Sequence, residues 1–311
     1  MKILVSGSLA YDRIMNFNGR FKDHILPDKI HILNVSFLVD TFRQSFGGTA
    51  VNIAYSLSLL GEKATVLSSY GNDFHDYGKW LRSKGINYSY CKKVSDLATA
   101  SAYVITDKDD NQIAGFFPGS MKFNSLTPPP QMLGSKSIGI VSPGNSTDMK
   151  KYPELYKKTK TPYIFDPGQQ IPVLSQRDLI NGIQGSKALI TNDYELVCIL
   201  NKLRLNMRDL LGMTEMVVNT KGEKGSVIVT RDQKHIIPPA KPKNTSDPTG
   251  AGDAYRAGFI KGLIMGYPLP KIGKLAAVVS VYTVEAYGTQ THSFTWGEVQ
   301  KRYYQNFKEK L

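Results

Sequence analysis

Cysteine is nearly absent: Cys91 and Cys198 are the two in the chain, far apart and outside any CxxC or Cys/His ligand spacing. That excludes a disulfide-stapled fold and a thiolate metal site, and it predicts free thiols in a reducing cytoplasm. Histidine is scarce as well. His24, His31, His75, His235 and His292 form no HxH or HExxH pattern, which argues against a histidine metal centre or a histidine-based triad. No run approaches the roughly 18 apolar residues of a membrane span, and the apolar stretch after Met1 is too short for a signal-peptide core. A cytoplasmic protein without a membrane partner is therefore expected. The P-loop signature is missing too. Gly250-Ala251-Gly252 begins like a dinucleotide fingerprint, but Tyr255 stands where its third glycine belongs and the run comes late in the chain, so a Rossmann oxidoreductase is disfavoured.

Positive charge is what the chain has in excess, with a net charge of +13 and a pI near 9.5. The Lys and Arg residues are scattered rather than gathered in a stripe, and no aromatic RNA-binding motif accompanies them, so no nucleic-acid partner is expected. A basic surface of this kind favours anionic ligands such as nucleotides. At 311 residues, 41% apolar and 21% charged, the chain is an ordinary globular protein able to bury an extensive core.

Short apolar runs at 3–6, 64–68, 138–141, 163–165, 188–190, 216–219 and 227–229 alternate with helical stretches. Continuous apolar runs suit strands covered on both faces, so the pattern predicts an α/β fold with a mostly parallel sheet between helices. Ligands gather at the carboxyl ends of such strands, which points to Ser8, Asp12, Asp166, Asn192 and Thr220. Segments 11–46 and 99–117 break the rhythm, and together they predict a small separate β-sheet acting as a lid.

The chemistry concentrates in Asp247-Pro248-Thr249-Gly250-Ala251-Gly252-Asp253, followed at once by a helix-like run. A small-residue loop opening a helix turns free backbone N–H groups and the positive helix end towards one point, which attracts a phosphate. Asp253 is a carboxylate where an anion should sit, so it reads as a base that takes a proton from an attacking hydroxyl. The helix dipole is expected to lower its pKa and keep it ionised at neutral pH. A second pair, Gly47-Gly48, opens another helix and sets Asn52 in its first turn, within reach of a ligand. Asp12 can accept from two neighbouring hydroxyls, as in a ribose diol, with Ser8 beside it. Asn192 and Glu195, three apart on a helix start, could hold magnesium-bound water, or simply cap the helix. Thr220, Gly222 and Gly225 belong to a loop that a nucleotide phosphate could approach, or to a hairpin turn.

The two glycine motifs, in this order and separation, resemble the PfkB (ribokinase-like) family of sugar and nucleoside kinases. The resemblance implies a single ribokinase-like three-layer α/β/α domain over 1–311 with a β-sheet lid. It also implies ATP as donor, Mg²⁺ as partner, Asp253 as base and the N–H groups of Gly250, Ala251 and Gly252 as the anion hole. Within the family the chain looks most like bacterial-type adenosine kinases, on segments such as Ser36-Phe37-Leu38-Val39-Asp40, Phe116-Phe117-Pro118-Gly119, Asp166-Pro167-Gly168-Gln169-Gln170 and Gly288-Thr289-Gln290. That resemblance places Ser8, Asp12, Gly48, Asn52 and Asp253 on the ribose, Ser36, Gln169 and Gln170 around the base, and Phe116 stacked on adenine. It implies phosphorylation of the adenosine 5′-hydroxyl in purine salvage, with K⁺ as an open candidate activator and a homodimer formed through the lid. Ala102 departs from the pattern, because a second aromatic is expected there, and neighbouring Tyr103 faces the opposite side of the strand. A sugar kinase or a broad-specificity nucleoside kinase of the same family is the alternative, and a non-catalytic nucleotide- or nucleic-acid-binding protein is a second.

Overall fold

A computed structural model describes residues 1–311. The main sheet contains β1 (Lys2–Ser6), and the chain then leaves it for β2 (Ala10–Phe17) and β3 (Val39–Gly47) of a smaller sheet. It returns at β4 (Ala64–Leu67), pairs β5 (Ser69–Tyr70) with β6 (Lys92–Lys93), and adds β7 (Ala100–Thr106) and β8 (Gln112–Phe117) to the smaller sheet. The remaining strands, β9 (Ser137–Val141), β10 (Tyr163–Phe165), β11 (Ala188–Asn192), β12 (Met216–Thr220), β13 (Ser226–Thr230) and β14 (Lys234–Ile237), complete the main sheet in the order β14-β13-β12-β11-β10-β9-β1-β4. Pairing is parallel from β4 to β12 and antiparallel for β13 and β14. The expected α/β class with a mostly parallel sheet is found. β14 was not foreseen, because its Lys-His-Ile-Ile run is short and half polar.

Successive residues of β1 point to opposite faces, and the core records it: Ile3 and Val5 join one apolar cluster, while Leu4 joins the other. The first cluster includes side chains of the helices Thr49–Leu59, His75–Ser83, Ala251–Ile264, Leu269–Val284 and Trp296–Phe307. The second takes in the helices Ser146–Lys158, Gln176–Ile183, Asp193–Leu203 and Met207–Met213. A sheet apolar on both faces needs both layers, which is the three-layer arrangement. No helix is long and apolar enough to cross a membrane, and Cys91 and Cys198 are both free thiols.

β1 lies between β4 and β9, so the chain winds away from it in both directions, and a crevice opens at the carboxyl ends of β1 and β9. The smaller sheet, ordered β3-β2-β7-β8, is connected to this place because β2 follows β1 within a few residues. Between β2 and β3 the chain forms no strand. Phe17, Phe21 and Phe37 pack there with ring centroids 4.9–6.0 Å apart.

His292 is buried where the last loop meets the helix layer, its ring nitrogens 3.2 Å from Ser56 Oγ and 3.4 Å from Thr283 Oγ1. Burial pushes its imidazole down to about 4. The folded chain thus refuses a proton that the unfolded chain accepts, so this contribution is complete above pH about 6.5 and is lost as pH falls towards 4. Asp12 and Asp253, both pushed up, act in the opposite sense, so the comparison must be between variants. In His292→Gln the stability difference between pH 7 and pH 4 should change by up to about 3 kcal/mol in the direction of less acid loss; denaturant melts of both proteins that stay parallel across this window would refute it.

Candidate active site

Gly250 has φ +79° and ends the loop on the helix Ala251–Ile264; a Cβ there would meet Thr289 Cγ2 at 3.1 Å. Asp247 shapes the loop, its Oδ1 accepting from Thr249 N–H at 2.9 Å and its Oδ2 from Gly288 N–H at 3.1 Å. Gly48, at φ +96°, opens the helix Thr49–Leu59, and a Cβ there would lie 2.6 Å from the Ser8 carbonyl. Both helix openings line one cavity of about 390 Å³.

The cavity is lined by Ser8, Asp12, Gly48, Asn52, Ala102, Phe116 and Gln169, by Asn192, Glu195 and Thr220, and by Gly250, Gly252 and Asp253. Five expected residues stand elsewhere. Ser36 is exposed in the segment before β3. Gln170 follows Gln169 in a tight turn whose successive side chains diverge, so only Gln169 reaches the cavity. Ala251 spends its N–H on Pro248 O at 3.1 Å, which leaves Gly250 and Gly252 as the expected anion-hole positions that line the cavity. Gly222 and Gly225 also lie outside it. Gly225 (φ +82°) has a structural reason of its own, since a Cβ would lie 2.1 Å from the Ile237 carbonyl.

Asp253 is at the centre and is half-buried. Its Oδ2 accepts from Asn52 Nδ2 at 2.9 Å, and Arg256 lies one turn further along its helix. The expected lowering by the helix end is not what prevails: burial pushes the Asp253 carboxyl up to about 7, against the opposing pull of Asn52 and Arg256. Desolvation of a whole carboxylate outweighs a partial charge at a helix start. Asp12 is pushed up to about 6 for the same reason, with Asp247 adding repulsion. Its place depends on Gly47, where a Cβ would lie 2.2 Å from Asp12 Oδ2.

Asn192 and Glu195 hold each other in a capping box: Asn192 Oδ1 accepts from Glu195 N–H at 2.8 Å, and Glu195 Oε2 accepts from Asn192 N–H at 2.8 Å. Both still face the cavity, so capping and ligand contact are not alternatives here. No group of three or more His, Cys, Asp or Glu side chains could cage a metal. The capping pair offers the cavity one carboxylate, Glu195, and one amide, Asn192, a set compatible with Mg²⁺, which keeps most of its water and takes one or two protein carboxylates together with substrate phosphates.

The sequence reading missed Arg256. Its guanidinium grips buried Asp166 in two places, Nε to Oδ2 and Nη2 to Oδ1 (2.7 Å), while Nη1 donates to Gly252 O at 3.0 Å. Asp166 was legible as the residue after β10. Arg256 follows Asp253 by three positions, hence on the same helix face, which was the available signal. Thr49, Pro143, Thr249 and Thr289 also line the cavity unpredicted.

A family model described as pfkB family carbohydrate kinase matches residues 9–296. The chain belongs to the pfkB family. As a kinase of this family it is a phosphotransferase acting on a hydroxyl group. A nucleoside kinase of Methanocaldococcus jannaschii is 34% identical, over 97% of this chain and 96% of the relative. The structure of a Burkholderia thailandensis nucleoside kinase in complex with inosine superposes with a TM-score of 0.87 at 33% identity, covering 99% of both chains. The same enzyme in complex with ADP-inosine gives 0.83 at 34%, covering 99% of this chain and 97% of that one.

Removing Arg256 leaves Asp166 buried, charged and unpaired. Arg256→Met in this pfkB-family kinase should cost about 3–5 kcal/mol of stability, with much of it recovered when Asp166→Leu is added. Denaturant midpoints of the parent, both single variants and the double variant measure this, and a single-variant loss below about 1 kcal/mol would contradict the assignment.

Proposed function

We propose that the chain transfers the γ-phosphoryl group of ATP to the 5′-hydroxyl of ribonucleosides, accepting several bases rather than adenosine alone. The observation that carries this reading is the single cavity in which Asp253 stands between a diol-binding carboxylate, Asp12, and a phosphate-facing helix start. Similarity to nucleoside kinases, one of them bound to inosine, supports a nucleoside over a free sugar.

The acceptor range follows from β7 and β8. Ala102 pairs directly with Phe116 across the strands, with no register slip, so both face the cavity while Tyr103 faces away with the Arg13 guanidinium 5.1 Å from its ring centroid. One ring, Phe116, is left to stack on the base, and stacking rewards any planar base. Adenosine falls within this range, but nothing at Ala102 restricts the pocket to it.

In the reaction the ribose diol donates to Asp12, which fixes the sugar. Asp253 takes the 5′-hydroxyl proton as that oxygen bonds to the γ-phosphorus and the bond to the leaving ADP oxygen breaks, while Gly250 and Gly252 face the developing charge. Mg²⁺, when bound, would neutralise phosphate charge, and Asn192 and Glu195 are the residues that would hold its water shell. The smaller sheet, covering the acceptor side, acts as the lid.

The face of that sheet turned away from the cavity carries Phe42, Met15, Ile105 and Ile113 in one paired row, with Phe42 61% and Ile113 43% exposed. A second copy of the chain covering this row completes the reading, since a contiguous apolar face is costly to leave in water. Light scattering should return twice the chain mass; a monomer at working concentration would remove the dimer.

Turnover on adenosine, inosine, cytidine and ribose tests the acceptor. Activity is expected on the three nucleosides, falling below pH about 7 as Asp253 takes up its proton. A preference for free ribose would overturn the reading. Asp253→Asn should lose about 10²–10⁴-fold in turnover with nucleoside binding retained.

A further inference from the structure

Gln290 lies in the loop after the helix Leu269–Val284, is 4% exposed, and does not line the cavity. Both ends of its amide are nevertheless engaged behind the base. Its Oε1 accepts from Trp80 Nε1 at 3.0 Å, and its Nε2 donates to Asn52 Oδ1 at 3.0 Å and to Tyr77 Oη at 2.8 Å. Asn52 Nδ2 in turn donates to Asp253 Oδ2 at 2.9 Å.

A side-chain amide can turn over with little change of shape, so its direction is set by neighbours able only to donate or only to accept. The indole N–H of Trp80 only donates, which requires Oε1 of Gln290 to face it. At the other end, Tyr77 Oη donates its proton to the Gly47 carbonyl at 2.7 Å, so it can only accept from Gln290. Both anchors demand the same orientation of Gln290. With the Gln290 NH₂ committed, Asn52 must present Oδ1 to it and NH₂ to Asp253.

We infer that Gln290 is a positioning residue for the base: acting through Asn52, it obliges a donor rather than an acceptor to face one oxygen of Asp253, leaving the other for the substrate hydroxyl. The inference rests on the reading of Asp253 as base. If Asn52 were reversed, its carbonyl oxygen would face the carboxylate, a contact that favours the protonated and inactive form. The charged groups facing Asp253 from neighbouring elements are Arg256 on its own helix, Asp166 after β10 and Asp12 on β2, and none of them bonds to Gln290. The adjacent Thr289 donates to Phe46 O at 2.9 Å, so this loop also clasps the end of β3, where the smaller sheet hands over to the Asn52 helix.

Gln290→Met keeps most of the volume and removes the relay, while Trp80→Phe with Tyr77→Phe removes the two anchors that set its direction. The first measurement is the titration of Asp253, followed through the side-chain carboxyl signal in ¹³C-aspartate-labelled protein and assigned by its loss in Asp253→Asn. It needs no substrate. In both variants the midpoint should move to higher pH, further in Gln290→Met, and the acid limb of kcat/KM should move with it. Turnover at neutral pH should fall about tenfold or more in Gln290→Met, the size expected when a hydrogen bond to a charged group is lost, with KM for ATP unchanged. A folded variant whose Asp253 midpoint stays in place overturns the relay. A midpoint that moves while the kcat/KM profile does not supports the relay and overturns Asp253 as base. If Gln290→Met fails to fold, the Trp80→Phe, Tyr77→Phe double variant decides by the same titration.

Discussion

The rest of the site depends on one half-buried carboxylate. As the proposed base, Asp253 must be able to lose its proton in a largely desolvated place, and desolvation alone would keep that proton on. Its helix start offers partial positive charge, Asn52 offers one hydrogen bond, and Arg256 offers a full charge already engaged by Asp166. These supports are individually modest. Together they leave the carboxyl at about 7, where a base can both hold and release a proton near neutrality. A direct ion pair to Asp253 would have kept it ionised but made it a poorer proton acceptor, which is a physical reason for Arg256 to be engaged by Asp166.

The position of β1 explains why two sheets meet at this carboxylate. Strands run outward from β1 on both sides, so the crevice at its carboxyl end is where backbone amides of several connections converge. The chain uses the same point to leave for β2, and it returns along β3 through Gly47 and Gly48, both glycines for steric reasons. Asp12 is carried by the outgoing strand and Asn52 by the returning helix. A movement of the smaller sheet therefore reaches the acceptor site directly, through two covalent connections and the clasp of residues 288–290.

Much of this was readable from the sequence because it is local. The glycine loops, the capping pattern of Asn192 and Glu195, and the strand ends that place Ser8, Asp12 and Thr220 all follow from short-range rules, and these residues converge in one cavity. What was not readable depends on tertiary neighbours. The helix start suggested a lowered pKa for Asp253, whereas the desolvation that reverses it comes from elements distant in sequence. Arg256 was passed over because its partner, Asp166, lies 90 residues away. Ser36 and Gln170 were assigned to the base pocket by resemblance, and the direction of each side chain is decided by a loop path or turn that resemblance does not specify.

Selectivity for the base is governed by a different force from the one that governs the reaction. Around Asp253 and Asp12 every requirement is electrostatic and directional, so a misplaced donor is costly. At Ala102 and Phe116 the requirement is contact area, which varies little among planar bases and has no strong direction. Under the proposed function, a site built this way would hold the ribose tightly in one geometry and the base loosely in several. Discrimination between bases would then have to come from polar groups at the base edge, and Gln169 is the predicted base-pocket amide that lines this cavity. An amide both donates and accepts, and it can turn over to match either pattern. The proposed breadth of acceptor is what a one-sided stack and a reversible amide would produce together, while the fixed amide at Asn52 would keep the chemistry the same for each of them.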